Sequence, residues 1–275
     1  VRFSCRDFAR LRLAARAFGA CGVPVRRATL QAIVIDFDVL DSADTPIGLI
    51  YLSRRELLNQ PGAWVYDVHI EGNLLMSSVS PRSERQLATS GLALHRGGEG
   101  LRVLVGGLGL GYTAQAALAS PRPSTVRVID RMDFVIRWLE EGRLPLSDEL
   151  NGDPRLELVQ GDVYRQLLAP ATKQWDLILV DVDHSPDDPL DPASREFYTL
   201  DGQAKVAEHL APGGVLGVWS ADDNDGFAAV LQVTYPEAQR EHVRWVVEHE
   251  GEDDEPLHNV LFFARKPAHG DPSPA

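Results

Sequence analysis

The chain has 275 residues, of which 44% are apolar and 24% charged, and its net charge is −13. That profile is one of globular folding. A chain this acidic repels phosphate backbones, so nucleic acid is not an expected partner, and no apolar run reaches the roughly 18 residues a membrane span needs. Two cysteines, Cys5 and Cys21, are too few for a disulfide framework or a zinc site, so a reducing cytoplasm is expected and no metal.

In chain order, residues 1–27 come first, with seven arginines against one acid, Asp7. Such a start resembles a transit peptide; the simpler reading is a poorly ordered extension, and it is set aside for the fold. Residues 28–80 read as a small β-hairpin domain. "LQAIVIDFDV" alternates in part, "PIGLIYLSRR" is strand-like, and "AWVYDVHIEGNLLMSS" holds two strands around Glu71-Gly72. An exposed β-domain of this kind suggests a homodimer. "SPRSERQLATSGLAL" predicts a helix capped by Ser80, with Pro81 in its first turn and Leu87, Gly91 and Leu94 near one face.

Residues 81–267 then alternate between strand and helix. The predicted strands are "LRVLVG", "TVRVID", "LELVQGD", "WDLILVDVD" and "VLGVWS", and helical patterns such as "YTAQAALA", "DFVIRWLEEG" and "VYRQLLA" lie between them. "DGQAKVAEHLAPGG" predicts a helix stopped by Pro212 and the glycine pair, and "GFAAVLQVTY" the last helix. "HVRWVVEHE" and "NVLFFARK" close the chain as a hairpin, with the acidic 248–256 as a loop and 268–275 as a tail. Continuous apolar strands in repeated βα units predict an α/β fold: a Rossmann-like, mostly parallel sheet covered on both faces, with an antiparallel hairpin at its end.

Ligands of such sheets sit beyond the carboxyl ends of the strands. The first strand runs into Gly106, Gly107, Gly109 and Gly111, where the backbone can turn sharply and approach a ligand. The second ends at Asp130, 23 residues past Gly107, where an acid can accept bonds from ribose hydroxyls. Gly161-Asp162 follows the third strand, and Asp181, Asp183 and His184 follow the fourth. The dinucleotide frame Gly-x-Gly-x-x-Gly would place Tyr112 at the third glycine, and no Lys-Ser/Thr phosphate loop occurs. Both facts disfavour a pyrophosphate and favour an adenosyl ligand without phosphates.

The glycine loop, "VIDRMDFVI", "DPRLELVQGDVY", "WDLILVDVDHSPDDP" and "EFYTLDGQAKVAEHLAPGGVL", in that order, resemble the spermidine synthase family of polyamine aminopropyltransferases. The resemblance covers about residues 65–265 and lies within the wider S-adenosylmethionine-dependent methyltransferase fold. It implies transfer of an aminopropyl group from decarboxylated S-adenosylmethionine to a polyamine such as putrescine. It also implies that Gly107, Gly109 and Gly111 line the donor, that Asp130 meets the ribose, and that Asp162 and the Val163 backbone meet the adenine. Asp181 would help deprotonate the attacking amine, a task a histidine such as His184 can share, and Asp183, one residue before the position of the second, polyamine-holding aspartate, is the candidate to substitute for it. The pattern departs from the family at three places. Gly109 replaces the loop aspartate, His184 replaces the second aspartate of Asp-Ser-Ser-Asp, and "RSERQ" replaces Tyr-His-Glu, keeping an acid as Glu84. These departures leave open an S-adenosylmethionine-dependent methyltransferase acting on a small molecule, and a non-catalytic adenosyl-binding relative. Phe197 and Tyr198 read equally as pocket wall or core, and Trp175 and Trp219 read as core.

Overall fold

The computed structural model describes residues 37–57, 60–245 and 257–268, so the arginine-rich 1–27, the acidic 248–256 and residues 269–275 lie outside the described residues. The chain divides into two compact units, up to Val79 and from Ser80 onward.

The first unit is an antiparallel meander of β1 (Phe37–Thr45), β2 (Gly48–Leu57), β3 (Gln60–Ile70) and β4 (Asn73–Ser77). Its last hairpin turns on Glu71 and Gly72, both at positive φ, which matches the twist of the strands they join. Ile50, Leu52 and Val68 are buried on one side, and Val65 on the other. The buried Asp67 is held by Arg55 and by the Ser77 hydroxyl.

The second unit opens with α1 (Arg82–Leu94) and continues as β5 (Leu101–Gly106), α2 (Tyr112–Leu118), β6 (Pro123–Asp130), α3 (Asp133–Glu140), α4 (Ser147–Asn151), β7 (Leu156–Gln160), α5 (Val163–Leu168) and β8 (Trp175–Val180). A 3-10 helix (Pro192–Tyr198), α6 (Leu200–His209), β9 (Leu210–Ser220), α7 (Asp225–Thr234), β10 (Glu237–Trp245) and β11 (Leu257–Arg265) complete it. The sheet order is β10-β11-β9-β8-β5-β6-β7. Strands β5 to β9 are parallel, and β11 and β10 add an antiparallel hairpin at the β9 side. The α/β fold expected from the alternating pattern is therefore the one observed.

Burial explains the composition of the central strands. Leu177, Ile178, Leu179 and Val180 of β8 are all buried, because helices cover both faces. Leu104, Ile178, Val180, Leu216 and Val218 pack with Val206 of α6 and with Phe227 and Leu231 of α7. On the other face α1 lies very close to β8 and β9. A side-chain carbon at Gly91 would sit 3.1 Å from Leu177 and Leu179, and one at Gly217 would sit 3.1 Å from Leu87. This close approach carries the first turn of α1 alongside the end of β8.

Some boundaries differ from the sequence expectation. Pro81, rather than Ser80, holds the cap position of α1, no side chain caps the helix, and the Ser80 hydroxyl is buried without a partner. The helix of 200–209 ends before Pro212, because Leu210 already pairs with Trp175 and begins β9. β10 starts at Glu237 rather than His242, since its pairing with β11 runs from Glu237–Arg265 to Trp245–Leu257. Helix α4 and the 3-10 helix, both short, have no counterpart in the sequence reading.

Candidate active site

Strand β5 lies between β6 and β8, and the chain leaves β6 and β8 toward opposite sides, so a crevice opens beyond its carboxyl end. The glycine loop is pinned on both sides. The Gly107 N–H donates to the Ile129 carbonyl at 2.9 Å, and the Asp181 N–H donates to the Gly106 carbonyl at 2.9 Å. Gly107, Gly109 and Gly111 all have positive φ, of 88°, 52° and 91°. At Gly107 glycine is also required by space, since a side-chain carbon would lie 2.1 Å from the Asp181 carbonyl oxygen.

Asp130 fastens this loop. One carboxylate oxygen accepts the Leu108 N–H at 2.8 Å and the other accepts the Met132 N–H at 2.8 Å. Burial raises its carboxyl above the ordinary range, and the bonds from Leu108, Met132 and Gly109 oppose that shift. These three bonds leave about one of the carboxylate's roughly four lone-pair sites for a ligand. Asp162 caps α5 by accepting the Arg165 N–H at 3.1 Å, and Val163 behind it is buried against Gly106.

The acids after β8 are separated by the fold. Asp181 faces α1 and α2, where the Thr113 hydroxyl donates to it at 2.6 Å. Burial, and next the negative charge of Glu84, push the Asp181 carboxyl up to about 7. Burial likewise raises Glu84, which accepts a 2.8 Å bond from the Ser83 hydroxyl. Asp183 points the other way and is buried. It accepts bonds from the Leu190 N–H (2.8 Å), the Ser194 hydroxyl (3.2 Å) and the Tyr198 hydroxyl (2.9 Å). The Tyr198 hydroxyl also meets that of Tyr164, and burial with the Asp183 charge pushes both phenols well above their ordinary range. His184 is exposed, and its backbone carbonyl accepts the Ala221 N–H at 2.8 Å.

Asp181, Asp183 and His184 thus do not converge. Asp183 anchors the segment 184–198 from within, while Asp191 anchors it from outside by a 2.5 Å contact with Arg131, next to Asp130. Removing the Asp183 acceptor strands three donors. Asp183→Ala is expected to cost about 1–3 kcal/mol and to speed amide hydrogen exchange across 184–198, with β5 and β8 unchanged. Unaltered exchange in that segment would contradict this role. Phe197 is fully buried core, and Tyr198 packs against that core while its hydroxyl serves Asp183. Trp175 is core, and Trp219 is half-buried.

Thr113 was not singled out from the sequence, although it is the one aliphatic hydroxyl among the buried residues of "YTAQAAL". Two surface hollows, of about 300 and 570 Å³, lie at the amino ends of the strands, lined by residues such as Arg96 and Arg265 or Arg102 and Lys173, away from the glycine loop. No group of three or more metal-ligating side chains occurs among the described residues, and no helix among them is long and apolar enough to cross a membrane.

Comparison with known proteins bears on this arrangement. No protein-family model matches the chain. Over 154 residues, 55% of the chain, it is 27% identical to polyamine aminopropyltransferase 2 of Streptomyces coelicolor, and it spans only 26% of that relative's length. Its fold is similar to that of a spermidine synthase solved in complex with the transition-state analogue AdoDATO, with a TM-score of 0.62 at 17% identity, over 83% of this chain and 73% of that one. The spermidine synthase of Thermotoga maritima gives a TM-score of 0.61 at 17% identity, over 83% and 72% of the two chains. The chain is thus similar over part of its sequence to a polyamine aminopropyltransferase and similar in fold to two spermidine synthases.

Proposed function

We propose that the chain is an aminopropyltransferase, moving the aminopropyl group of decarboxylated S-adenosylmethionine to a polyamine such as putrescine. The observation that carries this reading is Asp181, whose backbone abuts the glycine loop and whose half-buried carboxyl is held by Thr113. A primary alkylamine has a proton affinity like that of lysine, so it arrives mostly protonated. In the proposed reaction one ammonium proton passes to the Asp181 carboxylate. The freed nitrogen lone pair attacks the aminopropyl carbon next to the sulfonium. The C–S bond breaks with its electron pair going to sulfur, which leaves neutral methylthioadenosine. Gly107, Gly109 and Gly111 would face the donor, Asp130 its ribose, and Asp162 with the Val163 backbone its adenine. His184, exposed beside the segment 184–198, would meet the far end of the amine. Positioning of the two substrates supplies much of the remaining acceleration.

The test is incubation of the pure protein with decarboxylated S-adenosylmethionine and a panel of di- and triamines. Methylthioadenosine release with at least one amine is expected, and none with any amine would sink the reading. A second reading, methyl transfer from S-adenosylmethionine to a small molecule, is favoured by Gly109, which removes the loop acid. Calorimetry separates the two: tighter binding of the decarboxylated donor supports aminopropyl transfer, and tighter binding of the carboxylated donor supports methyl transfer.

A further inference from the structure

The heads of α1 and α2 reach the end of β8, where the Thr113 hydroxyl links the Asp181 carboxylate to the backbone of Glu84. That hydroxyl donates to Asp181 at 2.6 Å and lies 3.3 Å from the backbone carbonyl of Glu84. The Glu84 carboxylate is fixed by the Ser83 hydroxyl, itself buried, at 2.8 Å. Among the described residues few groups face this pair of carboxylates. Helix α1 contributes Ser83, Glu84 and Arg85, α2 contributes the neutral Thr113, and Asp181 itself follows the last residue of β8. The Arg85 guanidinium lies over the Tyr112 ring, 5.0 Å from its centroid, and is the weakest influence on Glu84. Neither carboxylate has a salt bridge among the described residues.

We infer that Glu84 is the positioning residue for Asp181: held by Ser83 at the head of α1, its charge sets the field in which Asp181 takes a proton from the substrate. This rests on Asp181 being the proton acceptor proposed above. The physical reason is the match between base and amine. An ordinary aspartate lies about six units below a primary amine, so proton transfer between them is strongly uphill. Two neighbouring carboxylates in a poorly solvated region resist ionising together, which makes the one that faces the substrate a stronger base. With Asp181 raised to about 7, the gap narrows to about three units, each worth a factor of ten in the transfer equilibrium. Burial contributes the larger part of that rise, and Glu84 contributes the part a substitution can remove without disturbing the fold.

Carboxyl-carbon NMR of the full chain tests this, with Asp181→Asn identifying the Asp181 signal. Glu84→Gln keeps the shape of the side chain and removes its charge. It is expected to lower the Asp181 titration by at least one pH unit, and to move the acidic limb of kcat to lower pH while cutting kcat about tenfold. Glu84→Asp, which restores a charge, is expected to recover most of the shift. Unchanged methylthioadenosine affinity shows that the donor site is intact, and Glu84→Ala serves if the glutamine variant unfolds. An Asp181 titration unmoved by loss of the Glu84 charge overturns the inference alone. A titration that moves as expected in a protein that releases no methylthioadenosine from any amine overturns the aminopropyl reading alone.

Discussion

Replacing Asp181 by asparagine is expected to cut kcat by a factor of 10² to 10⁴, roughly the span attributed to one general base, while the protein becomes more stable at pH 8. Asparagine keeps the shape and still offers Thr113 an acceptor, so the fold is not challenged locally. The stability sign follows from proton counts. The Asp181 carboxyl is raised from 3.8 to about 7 by burial and by Glu84. Between those values the folded chain holds a proton that the unfolded chain has released, so stability falls as pH rises through the window. Above pH 7 the native state carries a half-buried charge with no cationic partner among the described residues. The neutral variant escapes that cost, worth about 1–3 kcal/mol at pH 8 and vanishing near pH 4. Thermal unfolding at pH 4 and pH 8, with kcat at the higher pH, measures both effects. Wild-type turnover, or a variant less stable at pH 8, would show that Asp181 is neither a base nor an uncompensated charge.

Gly107→Ala is expected to destroy the proposed donor site and to destabilise the second unit by at least about 3 kcal/mol. Two independent costs combine. The backbone at Gly107 has φ of 88°, outside the comfortable range of any residue with a side-chain carbon. That carbon would also stand 2.1 Å from the Asp181 carbonyl oxygen and 3.3 Å from the Val182 side chain. The contact is with backbone, so no rotamer relieves it, and the end of β8 must move away from β5. For a unit of this size the change corresponds to roughly 6–12 °C in Tm. Gly98→Ala is the matched control, because nothing lies within 4 Å of a side-chain carbon there. Its Tm is expected to stay within about 2 °C of wild type. Calorimetry with methylthioadenosine should show binding to the control and none to Gly107→Ala. Retained binding in the alanine variant would mean that the loop does not approach the ligand as proposed.

The two substitutions act on adjoining atoms, since the Asp181 carbonyl oxygen that excludes a side chain at Gly107 belongs to the residue whose carboxyl faces Thr113. The glycine loop and the acid are therefore one construction. A shift in the loop moves Asp181, and a shift of β8 moves the loop.

Much of the fold was legible in the sequence because it depends on local pattern. "WDLILV" is a run too apolar for a half-exposed strand, and it is the buried centre of the sheet. Glu71-Gly72 marks a tight hairpin turn, and both residues have the positive φ such a turn demands. The glycines after β5 and the acids after β6, β7 and β8 lie in the loops at the carboxyl ends of the strands, because a parallel βα unit leaves every such loop on one edge of the sheet. Boundaries were less legible where pairing overrides propensity, as at Leu210, which is drawn into β9 by Trp175 across Pro212 and the glycines.

What the sequence by itself determined is thus the order of strands and helices, the edge that carries the site and the residue types placed there. Where the side chains of Asp181, Asp183 and His184 point was decided only by the tertiary structure. Once a strand ends, its alternation no longer dictates where a side chain points. Here Asp183 is drawn inward by Ser194 and Tyr198, eleven and fifteen residues further on. Asp181 is met by Thr113, 68 residues earlier, and by Glu84, which α1 brings close because Gly91 lets the helix lie against β8. Proton affinity depends on such distant neighbours through burial and charge, and no local sequence pattern encodes them.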